Sequence, residues 1–166
     1  MDFNIIATAY RGEGTYLLKA LGKMGEFERT PFRDVLVGKV KDVNEFLDKI
    51  LLEPPLSLAR VVPVRDVFAF GSPDELVREI KERLDRISLQ KGKSFKVTVE
   101  RRGWKGVINS HEFEKMFGEI LHEKTGNQVD LTHPQEEVVF EIMDNSCGWT
   151  IITEEMRRKY FFVRAK

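Results

Sequence analysis

The stretch Ser94-Phe95-Lys96-Val97-Thr98-Val99-Glu100-Arg101-Arg102-Gly103-Trp104-Lys105-Gly106-Val107-Ile108-Asn109-Ser110 changes its hydrophobic period partway along, and that change decides the fold class. Up to Arg101, Phe95, Val97 and Val99 alternate with Lys96, Thr98 and Glu100, the pattern of a strand with one buried face and one polar face. From Asn109-Ser110-His111-Glu112 onward the period lengthens. Phe113, Met116, Phe117, Ile120 and Leu121 recur at i, i+3, i+4, i+7 and i+8, which predicts a helix that Thr125-Gly126-Asn127 ends.

Working outward, the same alternation repeats. Upstream, Gly71-Ser72-Pro73-Asp74-Glu75 is a helix start, with Ser72 capping, Pro73 in the first turn and Glu75 closing the capping box. Leu76, Val77, Ile80, Leu84 and Ile87 form its buried face, and Gln90-Lys91-Gly92-Lys93 turns the chain into the strand at 94–101. Downstream, strands are predicted near 138–143, 147–152 and 160–163, with a turn or short helical piece over 153–158. Nearer the start, Phe3–Ala9 reads as a strand, Arg11-Gly12-Glu13-Gly14 as a turn, and Thr15–Met24 as a helix striped by Tyr16, Leu17, Leu18, Leu21 and Met24. A strand follows over Phe32–Val40. Asp42 then caps a helix with Glu45 three residues on, and Glu53-Pro54-Pro55 ends it because proline cannot continue the ladder. Ser57–Phe68 reads as one strand, edge or bulged, interrupted by Pro63. Alternating strands and helices define an α/β (α+β) layered fold. A break after Pro54-Pro55 divides the chain into residues 1–58 and 59–166, the first too small to be more than marginal alone and expected to pack on the second.

Composition narrows the class. The 166 residues are 42% hydrophobic and 33% charged, enough apolar material for a core and too much for disorder. No apolar run approaches the roughly 20 residues of a membrane span, and Met1-Asp2-Phe3-Asn4-Ile5-Ile6 lacks the basic-then-apolar plan of a secretory signal, so a cytoplasmic protein is expected. Cys147 is the single cysteine, so no intrachain disulfide forms. The many Glu, Lys and Arg residues suit a thermophile.

Chemistry is harder to find. The Gly12 turn lacks the third glycine of a dinucleotide fingerprint and the Lys-Ser/Thr of a P-loop, and reads as an ordinary turn. His111 and His122 lie 11 residues apart, so on one helix they stand about 16 Å apart and cannot share a metal ion. Spacing alone leaves a pair between Cys147 and a histidine open, but Asp144-Asn145-Ser146-Cys147-Gly148-Trp149 is a turn entering an apolar strand, a setting for a packing thiol. Glu136-Glu137 and Glu154-Glu155 read as surface pairs. No catalytic set, metal or cofactor is expected.

Charge is distributed unevenly. The chain carries 27 basic and 27 acidic residues, yet between Lys91 and Lys105 six basic residues face Glu100 alone, a local +5. Lys91, Lys93, Lys96, Arg101, Arg102 and Lys105 are natural phosphate contacts. Trp104 offers a ring for an unpaired base, Gly103 and Gly106 let backbone approach a ligand, and the helix start at Asn109-Ser110 favours an anion.

These residues resemble the THUMP family of RNA-binding domains. The resemblance runs from Phe95-Lys96-Val97 through Arg101-Arg102-Gly103-Trp104-Lys105-Gly106 and Asn109-Ser110, then past Gly126 to Val129-Asp130-Leu131-Thr132-His133-Pro134 and Val138-Val139-Phe140-Glu141-Ile142. It covers roughly residues 60–166 and implies an α/β domain that binds tRNA at the acceptor stem and 3′ end. A ferredoxin-like N-terminal unit normally accompanies it, and the strand–helix–strand–helix order of the first segment suits that unit. The RNA contacts implied are Lys96, Arg101, Arg102, Lys105 and Ser110, while Lys91 and Lys93 are added on charge alone. Most family members are fused to a modifying domain. A chain ending at Lys166 is similar to the stand-alone adaptors that hand tRNA to an RNA cytidine acetyltransferase. The expected function is therefore a tRNA-binding adaptor without catalysis. An adaptor for another tRNA-modifying enzyme, an enzyme using Cys147 or the Gly12 turn, and a protein-interaction module without RNA binding are the alternatives.

Overall fold

A computed structural model describes residues 2–166 and divides them into two units. One takes the chain up to Val67 and again from Glu155 to Lys166; the other is Phe68–Glu154.

The first unit runs β1 (Ile5–Ala9), α1 (Gly14–Leu21), β2 (Glu26–Arg29), β3 (Val35–Lys39), α2 (Val43–Leu52) and β4 (Leu58–Pro63). Its sheet has the order β2-β3-β1-β4 with every neighbouring pair antiparallel, the split βαβ arrangement of ferredoxin-like folds. Helix α2 starts as its sequence dictates, the Asp42 carboxylate accepting the Glu45 N–H at 3.0 Å. Phe46, Leu47 and Ile50 on α2 and Leu17 and Leu21 on α1 are buried. Strand β2 has no counterpart in the sequence expectation. Glu26-Phe27-Glu28-Arg29 has a single apolar residue and an almost fully exposed pattern, so only its backbone pairing with β3 marks it as a strand. The Phe27 ring lies over Gly38 of β3 and stacks on Phe46 at 5.7 Å.

Ser57–Phe68 is not one strand. Pro63 closes β4, and the chain resumes as β5 (Asp66–Ala69) in a different sheet. The division expected at 58/59 falls later for that reason: β4 pairs with β1 through Ala9↔Leu58 to Ile5↔Pro63 and stays with the first unit.

Beyond β5 come α3 (Pro73–Arg86), β6 (Phe95–Arg102), α4 (Ser110–Thr125), β7 (Glu136–Met143), β8 (Ser146–Thr153) and α5 (Glu154–Lys159), with sheet order β5-β8-β7-β6. β6 and β7 are parallel, so α4 is the crossover that parallel pairing requires. β7 and β8 form an antiparallel hairpin turned by Asp144-Asn145, with Asp144 at φ 50°. Phe95, Val97 and Val99 of β6 and Val138, Phe140 and Ile142 of β7 face Leu76, Ile80 and Leu84 of α3 and Phe113, Phe117 and Leu121 of α4 in one cluster. The helix ends follow local chemistry. Ser72 Oγ accepts the Glu75 N–H at 3.2 Å, Gly126 ends α4 at φ 75°, and the Lys124 ammonium donates to the carbonyls of Leu84 (2.6 Å), Asp85 and Ile87 (3.4 Å) where α3 ends. The strand expected at Tyr160–Val163 is reduced to one isolated bridge, Val61↔Val163.

Gly38→Ala places a methyl group inside the volume of the Phe27 ring. The expected cost is about 1–3 kcal/mol, read as a lower urea midpoint at unchanged slope; an unaltered midpoint would show that the ring yields freely.

Candidate nucleic-acid interface

The turn after β6 is built on left-handed backbone. Gly103, Trp104 and Gly106 have φ of 86°, 57° and 77°. A β-carbon on Gly103 would stand 2.6 Å from the Asp144 carboxylate, so glycine is required there. The Trp104 carbonyl accepts the N–H groups of Val107 (3.0 Å) and Ile108 (3.1 Å), its indole N–H donates to the Asp144 carbonyl at 2.7 Å, and its ring meets Phe70 at 5.8 Å. Phe70 in turn donates its N–H to the Asn145 carbonyl at 2.9 Å. Three connections therefore converge at the carboxyl ends of β6 and β7: the entry to α3 at Phe70–Ser72, the entry to α4 at Gly103–Asn109, and the β7–β8 hairpin. Crevices at the carboxyl ends of parallel strands, beside helix N-termini, are where α/β sheets bind anionic ligands.

The basic residues do not lie together. Phe95 to Arg102 is seven strand steps at about 3.3 Å each, roughly 23 Å. Lys91, exposed, and Lys93, half-buried, precede β6 at its amino end; Arg101, Lys105 and Ser110 sit at the carboxyl end. An extended strand separates what the sequence places side by side. Lys105 is exposed. Arg101 is half-buried, with Nη1 donating to the Gly103 carbonyl at 2.6 Å, so it braces the turn while part of it reaches solvent. Ser110 is the first residue of α4, but the cap is Asn109, whose Oδ1 accepts the Glu112 N–H at 3.1 Å.

Arg102 is different. Its side chain is 9% exposed and donates to Glu141 Oε2 at 2.6 Å, the glutamate being 1% exposed. That guanidinium is committed to the interior. Lys96, the second residue of β6, lies 3.9 Å from Glu137, which also accepts the Thr98 hydroxyl. Trp104 is equally committed, with its N–H spent on Asp144 and one face on Phe70, so it shapes the turn rather than standing free for a base. Gly71 and Ser72 join the carboxyl-end surface without having been expected there. Their capping box was legible, but that two helix starts share one end follows only from the strand order.

Elsewhere, the Gly12 turn is filled by the chain itself. Asp34 accepts the N–H groups of Gly12 (2.9 Å) and Gly14 (3.1 Å). The Gly12 amide above all, helped by Gly14 and the charges of Arg33 and Arg11, holds the Asp34 carboxyl below its ordinary 3.8 against desolvation, the second-largest influence. Cys147 is buried, and burial above all, with Glu141 adding to it, pushes its thiol well above the usual range, away from the thiolate a nucleophile needs. Among the described residues no group of His, Cys, Asp and Glu could hold a metal ion, and no helix is long and apolar enough to cross a membrane.

Residues 71–151, within the second unit, match the THUMP domain family, a narrower span than the resemblance from residue 60 onward. No curated protein matches the chain. Among solved structures it is similar to TrmN from Thermus thermophilus (TM-score 0.70, 22% identity, 90% of this chain and 45% of that one) and to PH1313 from Pyrococcus horikoshii Ot3 (TM-score 0.63, 15% identity, 91% and 54%). It is also similar to a 4-thiouridine synthetase solved as an RNA complex with bound ATP (TM-score 0.56, 15% identity, 91% and 41%). The chain thus spans about half the length of the solved chains it matches, and the likeness is one of fold.

Two expectations follow. Arg102→Ala strands the Glu141 charge in the interior and costs about 3–5 kcal/mol, whereas Lys105→Ala stays within about 0.5 kcal/mol; equal denaturation midpoints for the two would contradict the burial of the pair. Because the Asp34 pKa is depressed on folding, its stabilisation is present above pH 3.8 and lost as pH falls through the lower folded value. Asp34→Asn is therefore less stable than the parent at neutral pH, and acid titration of both unfolding curves should show the gap closing below about pH 4.

Proposed function

We propose that this chain is a tRNA-binding adaptor that works in the cytoplasm and presents the acceptor stem and 3′ end of tRNA to a separate modifying enzyme, without catalysing the reaction itself. One observation carries the reading: within a THUMP-type domain, exposed Lys105 and half-exposed Arg101 stand beside the starts of α3 and α4 at the carboxyl ends of β6 and β7. Cations and helix N-termini together suit a phosphate backbone. Ser110 belongs to the same surface. Lys91 and Lys93 precede the opposite end of β6, about 23 Å of strand away, a span of several nucleotides along one RNA, and Lys96 lies near that end. Arg102 supports the strand end from inside. The two groups with a claim to chemistry, Cys147 and the Gly12 turn, are respectively buried as a neutral thiol and filled by Asp34, which favours binding over catalysis.

The partner best matched by the sequence resemblance is an RNA cytidine acetyltransferase. A second reading, another tRNA modification enzyme, is favoured by the fold likeness to a 4-thiouridine synthetase bound to RNA. Nucleoside profiling of tRNA after gene deletion distinguishes them by whether 4-acetylcytidine or a different modified nucleoside disappears.

Binding is tested by titrating tRNA across a salt series. Arg101→Ala and Lys105→Ala should each lower the slope of log affinity on log salt by about 1. An unchanged affinity and slope in the Arg101→Ala/Lys105→Ala double variant would sink the assignment of this surface.

A further inference from the structure

The first unit's sheet has two edges, and they are guarded differently. β2 carries three charged residues in four, Glu26, Glu28 and Arg29, exposed along the edge. Charged side chains on a short strand discourage pairing with another chain. β4, at the other edge, is Leu58-Ala59-Arg60-Val61-Val62-Pro63, with one charge and with Leu58, Val61 and Val62 buried. By its own chemistry that edge is sticky. Residues 160–165 return to cover it. Val61 donates its N–H to the Phe162 carbonyl at 2.8 Å and bridges Val163, Arg60 donates to the Ala165 carbonyl, and Arg164 donates to the Ala59 carbonyl at 3.3 Å. Phe162, Val163 and Ala165 are 2%, 1% and 3% exposed. The anchor is Tyr160, 4% exposed, whose hydroxyl donates to Asp48 of α2 at 2.5 Å while Lys159 lies 3.6 Å from the same carboxylate oxygen.

We infer that residues 160–165 are a detachable strap that closes the β4 edge, and that release of the strap lets β4 pair with the same strand of a second copy of this chain. Eighty-seven residues separate Val67 from Glu155, so the strap closes in sequence only after the whole second unit has been made. A strand edge with backbone groups open and few charges is complementary to itself, and antiparallel self-pairing closes as a two-fold dimer.

The test begins on the full chain with Tyr160→Phe, which removes the anchor's hydrogen bond. Amide exchange at Val61 should quicken about tenfold while the amides of β7 keep their rates; an unchanged Val61 rate overturns the strap. A chain ending at Lys159 should be a concentration-dependent dimer by light scattering, and adding Ala59→Lys to it should restore the monomer. A shortened chain that is folded by circular dichroism and monomeric at every concentration overturns the pairing. Should the shortened chain not fold, light scattering of the full-length Tyr160→Phe variant over a concentration series decides the pairing: a dimer fraction that grows with concentration and disappears with Ala59→Lys supports it, and a monomer at every concentration overturns it.

Discussion

Parallel pairing between β6 and β7 organises the second unit. Parallel neighbours cannot be joined by a tight turn, so the chain must leave the carboxyl end of β6, cross the sheet as α4 and re-enter at the amino end of β7. Register follows residue by residue, from Phe95 beside Glu136 to Arg102 beside Met143. Strands of this kind are covered on both faces, and all eight residues of β7 are buried. The candidate interface is a consequence. It lies where β6 and β7 end, because that is where the pairing obliges α4 to begin. The opposite end is closed by Lys124, a cation at the C-terminus of α3, where the exposed carbonyls favour positive charge.

Several charges around β6 are spent on partners within the protein. Arg102 and Glu141 form a pair that stabilises little over an apolar core of the same shape but is costly to break. Glu137 takes the Thr98 hydroxyl and draws Lys96, Glu114 accepts the Val99 N–H at 2.9 Å on the outer side of β6, and Asp34 occupies the amides of the Gly12 turn. A count of basic residues therefore overstates what a polyanion would meet. The cations that reach solvent, Lys105 and Lys91 first among them, are fewer than the six in the stretch, and they stand at two ends of one strand.

How far the fold could be read depended on the range of the interactions. Helices α2, α3 and α4 were legible because their signals are local: a side-chain oxygen at Asp42, Ser72 or Asn109 three residues before the N–H it caps, an apolar stripe, a proline or glycine after the last turn. Among the core strands, β6 showed its alternation, while β1, β7 and β8 were expected as strands without one, and β7 is buried at every position. β2 did not, since an exposed edge strand needs no apolar alternation. The reading of Ser57–Phe68 as one strand failed because hydropathy does not say which sheet a segment joins, and Tyr160–Val163 has the residues of a strand but only one bridge to a partner.

The site divides along the same line. Residue types and spacing were enough to show that the turn from Arg101 to Ser110 is basic, glycine-rich and followed by a helix, because each of those properties belongs to a residue and its near neighbours. Whether a given side chain of the turn is free for a ligand was settled by partners far along the chain: Glu141, 39 residues on, took Arg102 inside, and Asp144, 40 residues on, held Trp104. Short-range hydrogen bonding and hydrophobic periodicity are written in consecutive residues. Burial, strand neighbours and ion pairing come from contacts between segments whose proximity exists only once the sheet has formed.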